Sequence, residues 1–317
     1  MNKPLLAAAA VVVGGCLHAQ TVLYVAPAGN SDGSSWKEPT NLHAALAAAR
    51  AGDVVFVKTG TYLTSEGGDR TASFSPAEGV RMLGGFRGDE PDEHHRDPIS
   101  FETVLSGEIG SPERGDNAYT VLRLTGSGEG TVVDGFTITG GYADGAGGAA
   151  DARRAGGGIL IEVSEPGGRA APRIADCVLA GNYARDGGGA YVSGRAGSAA
   201  PHFEDCTFRD NEADLDGGAV YVDGRRRGDA APLLTDCLFQ RNVANYGGAL
   251  FNQATGGRVV ASLTRCHFTG NRAYVRGATL YSIDHRGSAE ARLEDCVFDE
   301  PAGVRQPEPT PLARAVD

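Results

Sequence analysis

Hydrophobic and polar positions alternate along this chain in short runs, and the runs repeat. Between Pro172 and Phe298 cysteine falls at 177, 206, 237, 266 and 296. An apolar residue follows two places later, at Leu179, Phe208, Phe239, Phe268 and Phe298. Asn182, Asn211, Asn242 and Asn271 follow five places after the first four cysteines, and alanine stands at 184, 213, 244 and 273. A glycine-led second run then begins at Gly188, Gly217, Gly247 and Gly277. A fixed period with fixed offsets predicts a solenoid whose copies bury themselves against their neighbours.

The pattern inside the period selects the solenoid. Runs such as Cys206-Thr-Phe and Ala219-Val-Tyr-Val are short, β-branched and aromatic, and Gly, Asn and Asp punctuate them. No copy holds an apolar stripe long enough for two helices, and no Leu-x-x-Leu-x-Leu recurs. The spacing predicts an all-β, single-stranded, right-handed parallel β-helix of about eight coils, with equivalent residues stacked about 4.8 Å apart. Cys and Phe point inward as two columns. Asn occupies a turn with left-handed backbone geometry, its amide bonding to the Asn of the next coil.

Upstream, Asn41 to Arg50 is rich in Ala and Leu and ends before Gly52. A helix N-capped by Thr40 or Asn41 and burying Leu42, Ala45, Leu46 and Ala49 plugs the open end. Residues 20–299 thus form one domain, with 20–52 as its cap and 172–298 as its regular part. Gly135 stands where Cys would fall in the coil before Cys177, and 140–157 is a Gly- and Ala-rich excursion. Residues 300–317 are Pro-rich and expected to be disordered. That leaves the last coil thinly capped, a docking end for a partner.

Residues 1–19 read as a secretory signal, with Lys3, an apolar run and cleavage after Ala19. Val13-Gly-Gly-Cys16 also fits a lipoprotein box, with Cys16 lipidated. The expected location is secreted, periplasmic or on the outer cell surface, with no transmembrane segment in the mature chain. The net charge of −11 argues against nucleic acid as a partner. Five cysteines in an oxidising compartment suggest disulfides, but stacking at the strand spacing holds them too far apart to bridge. They are expected to be buried, reduced and inert.

The residue before each Cys is Asp176, Asp205, Asp236, Arg265 or Asp295. Stacked carboxylates repel, so an exposed, solvated turn is the plainer reading. A calcium ion across Asp176, Asp205 and Asp236 is the sharper one; otherwise no cofactor is expected. The acidic run Asp210, Glu212, Asp214 and Asp216 reads as a solvated face. Tyr221, Phe251 and Tyr281 share an offset after the glycine pairs, whereas Tyr191 comes one residue early and should point the other way. Facing inward the three rings are core; facing outward they form a platform for sugars, with Arg209 and Arg241 as further ligand-binding candidates. The loops at 194–200, 224–231, 255–259 and 284–289 lie on one edge, where recognition usually sits.

Tyr24-Val-Ala-Pro-Ala-Gly-Asn, Gly60-Thr-Tyr62, Gly84-Gly-Phe-Arg-Gly-Asp-Glu90 and Asp134-Gly-Phe-Thr-Ile-Thr-Gly-Gly141 resemble bacterial secreted parallel β-helix proteins of the pectate-lyase-like superfamily. The Phe-x-x-Asn and Gly-Gly-Ala pairs are similar to repeats of chlamydial polymorphic membrane proteins, which are adhesins. The resemblance implies a binding or adhesion module for glycan or surface matrix, or alternatively a carbohydrate-active enzyme of the polysaccharide lyase type. The regular coils hold no Lys, and no polygalacturonase-like Asn-Thr-Asp or Arg-Ile-Lys segment is present. Catalytic residues are therefore not assigned.

Overall fold

The computed structural model describes residues 19–147, 151–195 and 197–299. The signal segment, Cys16 and the 300–317 tail lie outside the described residues, except that residue 19 is described. Every named strand pairs in parallel with its equivalent one coil away. For example, Val178, Leu179 and Ala180 lie beside Thr207, Phe208 and Arg209. The chain is a parallel β-helix. Its first wall runs from Val22–Val25 through Val54–Lys58 to Ser288–Glu294, and its nine successive strands mark nine turns rather than about eight. A second wall of eight strands runs from Gly60–Leu63 to Val297–Asp299. A third of six runs from Leu122–Thr125 to Leu280–Ile283, and a short fourth of five from Tyr142–Ala143 to Arg272–Arg276.

One hydrophobic core fills the lumen from Val25 to Phe268. The helix Leu42–Ala48 closes its first end. Asn41 is the N-cap, its side chain accepting from the Ala44 amide at 2.9 Å, and Leu42, Ala45 and Leu46 are buried. The phenylalanine column stacks face to face, with centroids 4.9 Å apart for Phe208–Phe239 and 4.7 Å for Phe239–Phe268. All five cysteines are free thiols, buried except Cys296 in the last coil. Burial pushes the Cys177 thiol up to about 12, so it stays protonated and unreactive.

The turns explain the composition. In the regular coils the chain bends through left-handed residues at three corners: before Cys, before Asn and before the third wall. The first corner is Asp176, Asp205, Asp236, Arg265 and Asp295. The second is Gly181, Asp210, Arg241 and Gly270, and the third Gly187, Gly217, Gly247 and Gly277. The asparagines themselves are not left-handed, which corrects the expectation; the residue before each one is. Freed from the turn, each Asn lies buried and works as a ladder. Asn211 Nδ2 donates to Leu179 O at 2.9 Å and to Asn242 Oδ1 at 3.0 Å, and Asn242 Nδ2 donates to Asn271 Oδ1 at 2.9 Å. These bonds satisfy backbone groups that the corner takes out of the sheet.

Two registers differ from the sequence reading. Val133 pairs with Ile174 and Thr137 with Val178, so Phe136, not Gly135, stands in the Cys column. Tyr191 pairs with Tyr221, not with the opposite face. The extra glycine in Gly187-Gly-Gly189 shifted the apparent alignment by one.

Candidate functional site

Along the third wall, residues alternate between lumen and outer face. Val192 and Val222 face the core, while Leu160, Tyr191, Tyr221 and Phe251 form a second cluster outside it. Tyr191 stacks on Tyr221 at 4.8 Å and 4°, and Tyr221 on Phe251 at 5.0 Å. The ladder is therefore neither lumen core nor open platform. Tyr221 is 2% and Phe251 0% exposed, so neither offers a ring face to a ligand. Ala155 and Ala152, from the excursion, pack on this cluster. At the other end Tyr281 and Tyr246 are only half-buried, 5.3 Å apart, and the ladder ends at the seam between the third and fourth walls.

The fourth-wall side of this seam is polar. The fourth-wall strand Tyr183–Asp186 pairs with Glu212–Asp216, and after a bulge Asp186 lies opposite Asp216. Burial pushes Asp186 up to about 6 and Asp216 up to about 7, the Asp186 carboxylate adding to the second shift. Arg185 Nη1 bonds Asp186 Oδ2 at 3.1 Å. Beneath, Tyr191 OH donates to the fully buried Asp223 at 2.5 Å. Arg225 forks onto the same carboxylate at 2.9 and 2.7 Å, its guanidinium 5.8 Å from the Tyr221 ring centre. The buried charge of Asp223 is thus both paired and hydrogen-bonded. The acidic run read as one solvated face is split: Glu212 and Asp214 are exposed, while Asp216 turns across the bulge toward Asp186.

The other sequence candidates lie elsewhere. Arg241 forks onto Asp210 of the preceding coil at 2.7 and 2.8 Å, and Arg209 is exposed 3.4 Å from the same carboxylate. Asp176, Asp205 and Asp236 line one exposed corner. Asp236 is held by Arg265 at 2.7 and 2.6 Å, which keeps its carboxyl below the usual range. Partial desolvation and the Asp134 carboxylate push Asp176 up. Among the described residues no group of three His, Cys, Asp or Glu side chains is placed to hold a metal ion. A separate shallow cavity of about 590 Å³ lies by the capping helix, lined by Asn41, His43, Thr64, Ser65 and Ser73 among others.

Residues 205–223 match the Chlamydia polymorphic membrane protein repeat. No curated protein matches the chain in sequence. Among solved structures, pectate lyase Pel9A superposes with a TM-score of 0.55 at 15% identity, over 88% of this chain and 63% of the lyase. This chain therefore spans less than two thirds of that enzyme. A pectin methylesterase from Aspergillus niger gives a TM-score of 0.44 at 14% identity, over 95% of this chain and 94% of the esterase. The lyase superposition and the nine stacked coils give the chain a pectate-lyase-like parallel β-helix fold. No helix among the described residues is long and apolar enough to cross a membrane.

Proposed function

We propose that this is an exported, surface-exposed β-helix that binds carbohydrate at the seam between its third and fourth walls. The observation that carries the reading is the emergence of the aromatic ladder at Tyr246 and Tyr281, beside Asp216. Ring faces take the apolar face of a sugar, and flanking carboxylates accept from its hydroxyls. The pectate-lyase-like fold and the polymorphic-membrane-protein repeat support a carbohydrate-related role at a cell surface. A glycan array tests it: the reading predicts retention of a defined set of glycans, lost on Tyr281→Ala and Tyr246→Ala. Binding by both variants equal to that of the wild type would reject this site.

A second reading, a carbohydrate-active enzyme, has one observation in its favour. Asp186 and Asp216 share a site and titrate near neutrality, so one can hold a proton while the other is ionised. Incubation with uronate and neutral polymers, following unsaturated product and new reducing ends, separates it from binding alone. Product formation abolished by Asp216→Asn would establish the enzyme.

A further inference from the structure

The loops leaving the third wall line one edge of the solenoid. Residues 194–200, 223–231, 253–259 and 284–289 carry six arginines against three aspartates, on a chain whose net charge is −11. Asp223 is engaged by Arg225 and Arg195, and Asp229 by Arg258 at 2.9 Å. The guanidinium groups of Arg226, Arg227 and Arg286 have no side-chain partner among the described residues, and all three are exposed. Beside them Arg195 keeps Nη1 buried without a hydrogen-bond partner.

Arg241 and Arg265 share the backbone geometry of these arginines, but they fork onto stacked aspartates, whereas these three have no such partner. Arg226, Arg227 and Arg286 have φ of 61°, 63° and 52°. The Arg227 amide donates to Gly256 O at 2.9 Å, and Gly256 takes the same left-handed geometry in the next coil with φ 69°. The turn is thus one that glycine serves without strain, whereas a long side chain there is disfavoured. Nothing in the turn calls for arginine; the side chain is what the substitution adds.

We propose that this loop edge binds a polyanionic glycan, with Arg226, Arg227 and Arg286 reading oxyanion groups spaced along the solenoid axis. Guanidinium forks match sulfate, phosphate and carboxylate alike, so the charge spacing is the recognised feature. The inference rests on the carbohydrate-binding reading and supplies its ligand class. Its arginines lie in the loops that follow the third-wall strands bearing Tyr221 and Tyr281.

The test immobilises the full chain and measures binding of dextran sulfate, polygalacturonate, a phosphorylated teichoic-type glycan, uncharged dextran and inorganic polyphosphate, at low and high salt. The expected result is salt-sensitive binding of at least one charged glycan and none of dextran. Arg226→Gly/Arg227→Gly should weaken it about tenfold while leaving the melting temperature unchanged or higher, because glycine relieves both turns. Arg226→Asn/Arg227→Asn, also tolerant of this geometry, should behave alike. Undiminished binding by both double variants, or loss of binding only with loss of folding in both, overturns the proposal. Dextran bound as well as dextran sulfate would keep the carbohydrate reading and sink the anionic one. Polyphosphate bound in preference to every glycan would do the reverse.

Discussion

Arg265 and Asp236 occupy the same corner of successive coils, and the arginine forks onto the carboxylate at 2.7 and 2.6 Å. The corner is a column of like residues at strand spacing. Four of its five members are aspartates, so each in-register step would bring two negative charges together. Arg265 interrupts the run, and Arg241 does the same for Asp210 at the next corner. Stacking turns a repeat into a column, and the column's charge must then be managed residue by residue.

Arg265→Asp tests this. Aspartate is at ease in the left-handed corner, as Asp205 demonstrates with φ 51°, so the backbone is unchanged and only the charge reverses. The expected loss in urea unfolding is small, is seen at low ionic strength and shrinks at high salt. A loss independent of salt would point to packing instead.

The asparagine ladder gives a larger effect. Asn211→Ala removes an amide that donates to Leu179 O and Asn242 Oδ1 and accepts from the Asn182 amide at 3.1 Å. Leaving those groups buried without partners is expected to cost about 3 kcal/mol. Ser substitution, which cannot span the same gaps, should cost nearly as much. A loss under 1 kcal/mol, read by the same unfolding method, would mean the ladder is replaced by water.

Much of this was legible in advance, for a physical reason. Cys177, Phe208 and Asn211 recur because stacking rewards identical neighbours, so their columns appear directly as a period. The capping helix was legible from Asn41 and its Ala and Leu run. The corner residues before Asn were not: Gly181, Asp210, Arg241 and Gly270 share a backbone conformation but no side chain, and the eye fell on Asn instead. The pairing of Asp186 with Asp216 was hidden because a bulge, invisible in alternation, takes Asp216 out of the run read as a solvated face and sets it opposite Asp186. Tyr191 was misplaced by a single additional glycine. The loops on one edge were marked as a recognition surface; the left-handed arginines that distinguish them needed coordinates.

The paired carboxylates of Asp186 and Asp216 set a pH dependence. Burial raises Asp186 from 3.8 to about 6 and Asp216 to about 7. Between those limits the folded chain holds protons that the unfolded chain has released. Stability contributed by protonation is therefore full below about pH 4 and lost as pH rises toward 7, worth on the order of 3 kcal/mol for Asp186. Melting temperature against pH should fall across this window, and Asp216→Asn should flatten it. A curve that rises from pH 4 to 7 in the wild type and is unchanged in the variant would contradict the assignment.

Thiol reactivity should follow position in the column. Cys177, Cys206, Cys237 and Cys266 are buried, whereas Cys296 is partly open at the last coil. A thiol reagent should therefore modify Cys296 first, and the other four only on unfolding. Equal rates for all five in the native protein would mean that the coils open freely.

The in-register column itself is tested most directly by sulfur anomalous scattering from a crystal of the protein. The account predicts the sulfurs of Cys177, Cys206, Cys237, Cys266 and Cys296 along one line, each about one strand spacing from the next and none bonded to another. Sulfurs dispersed through the molecule, or joined in disulfides, would contradict it.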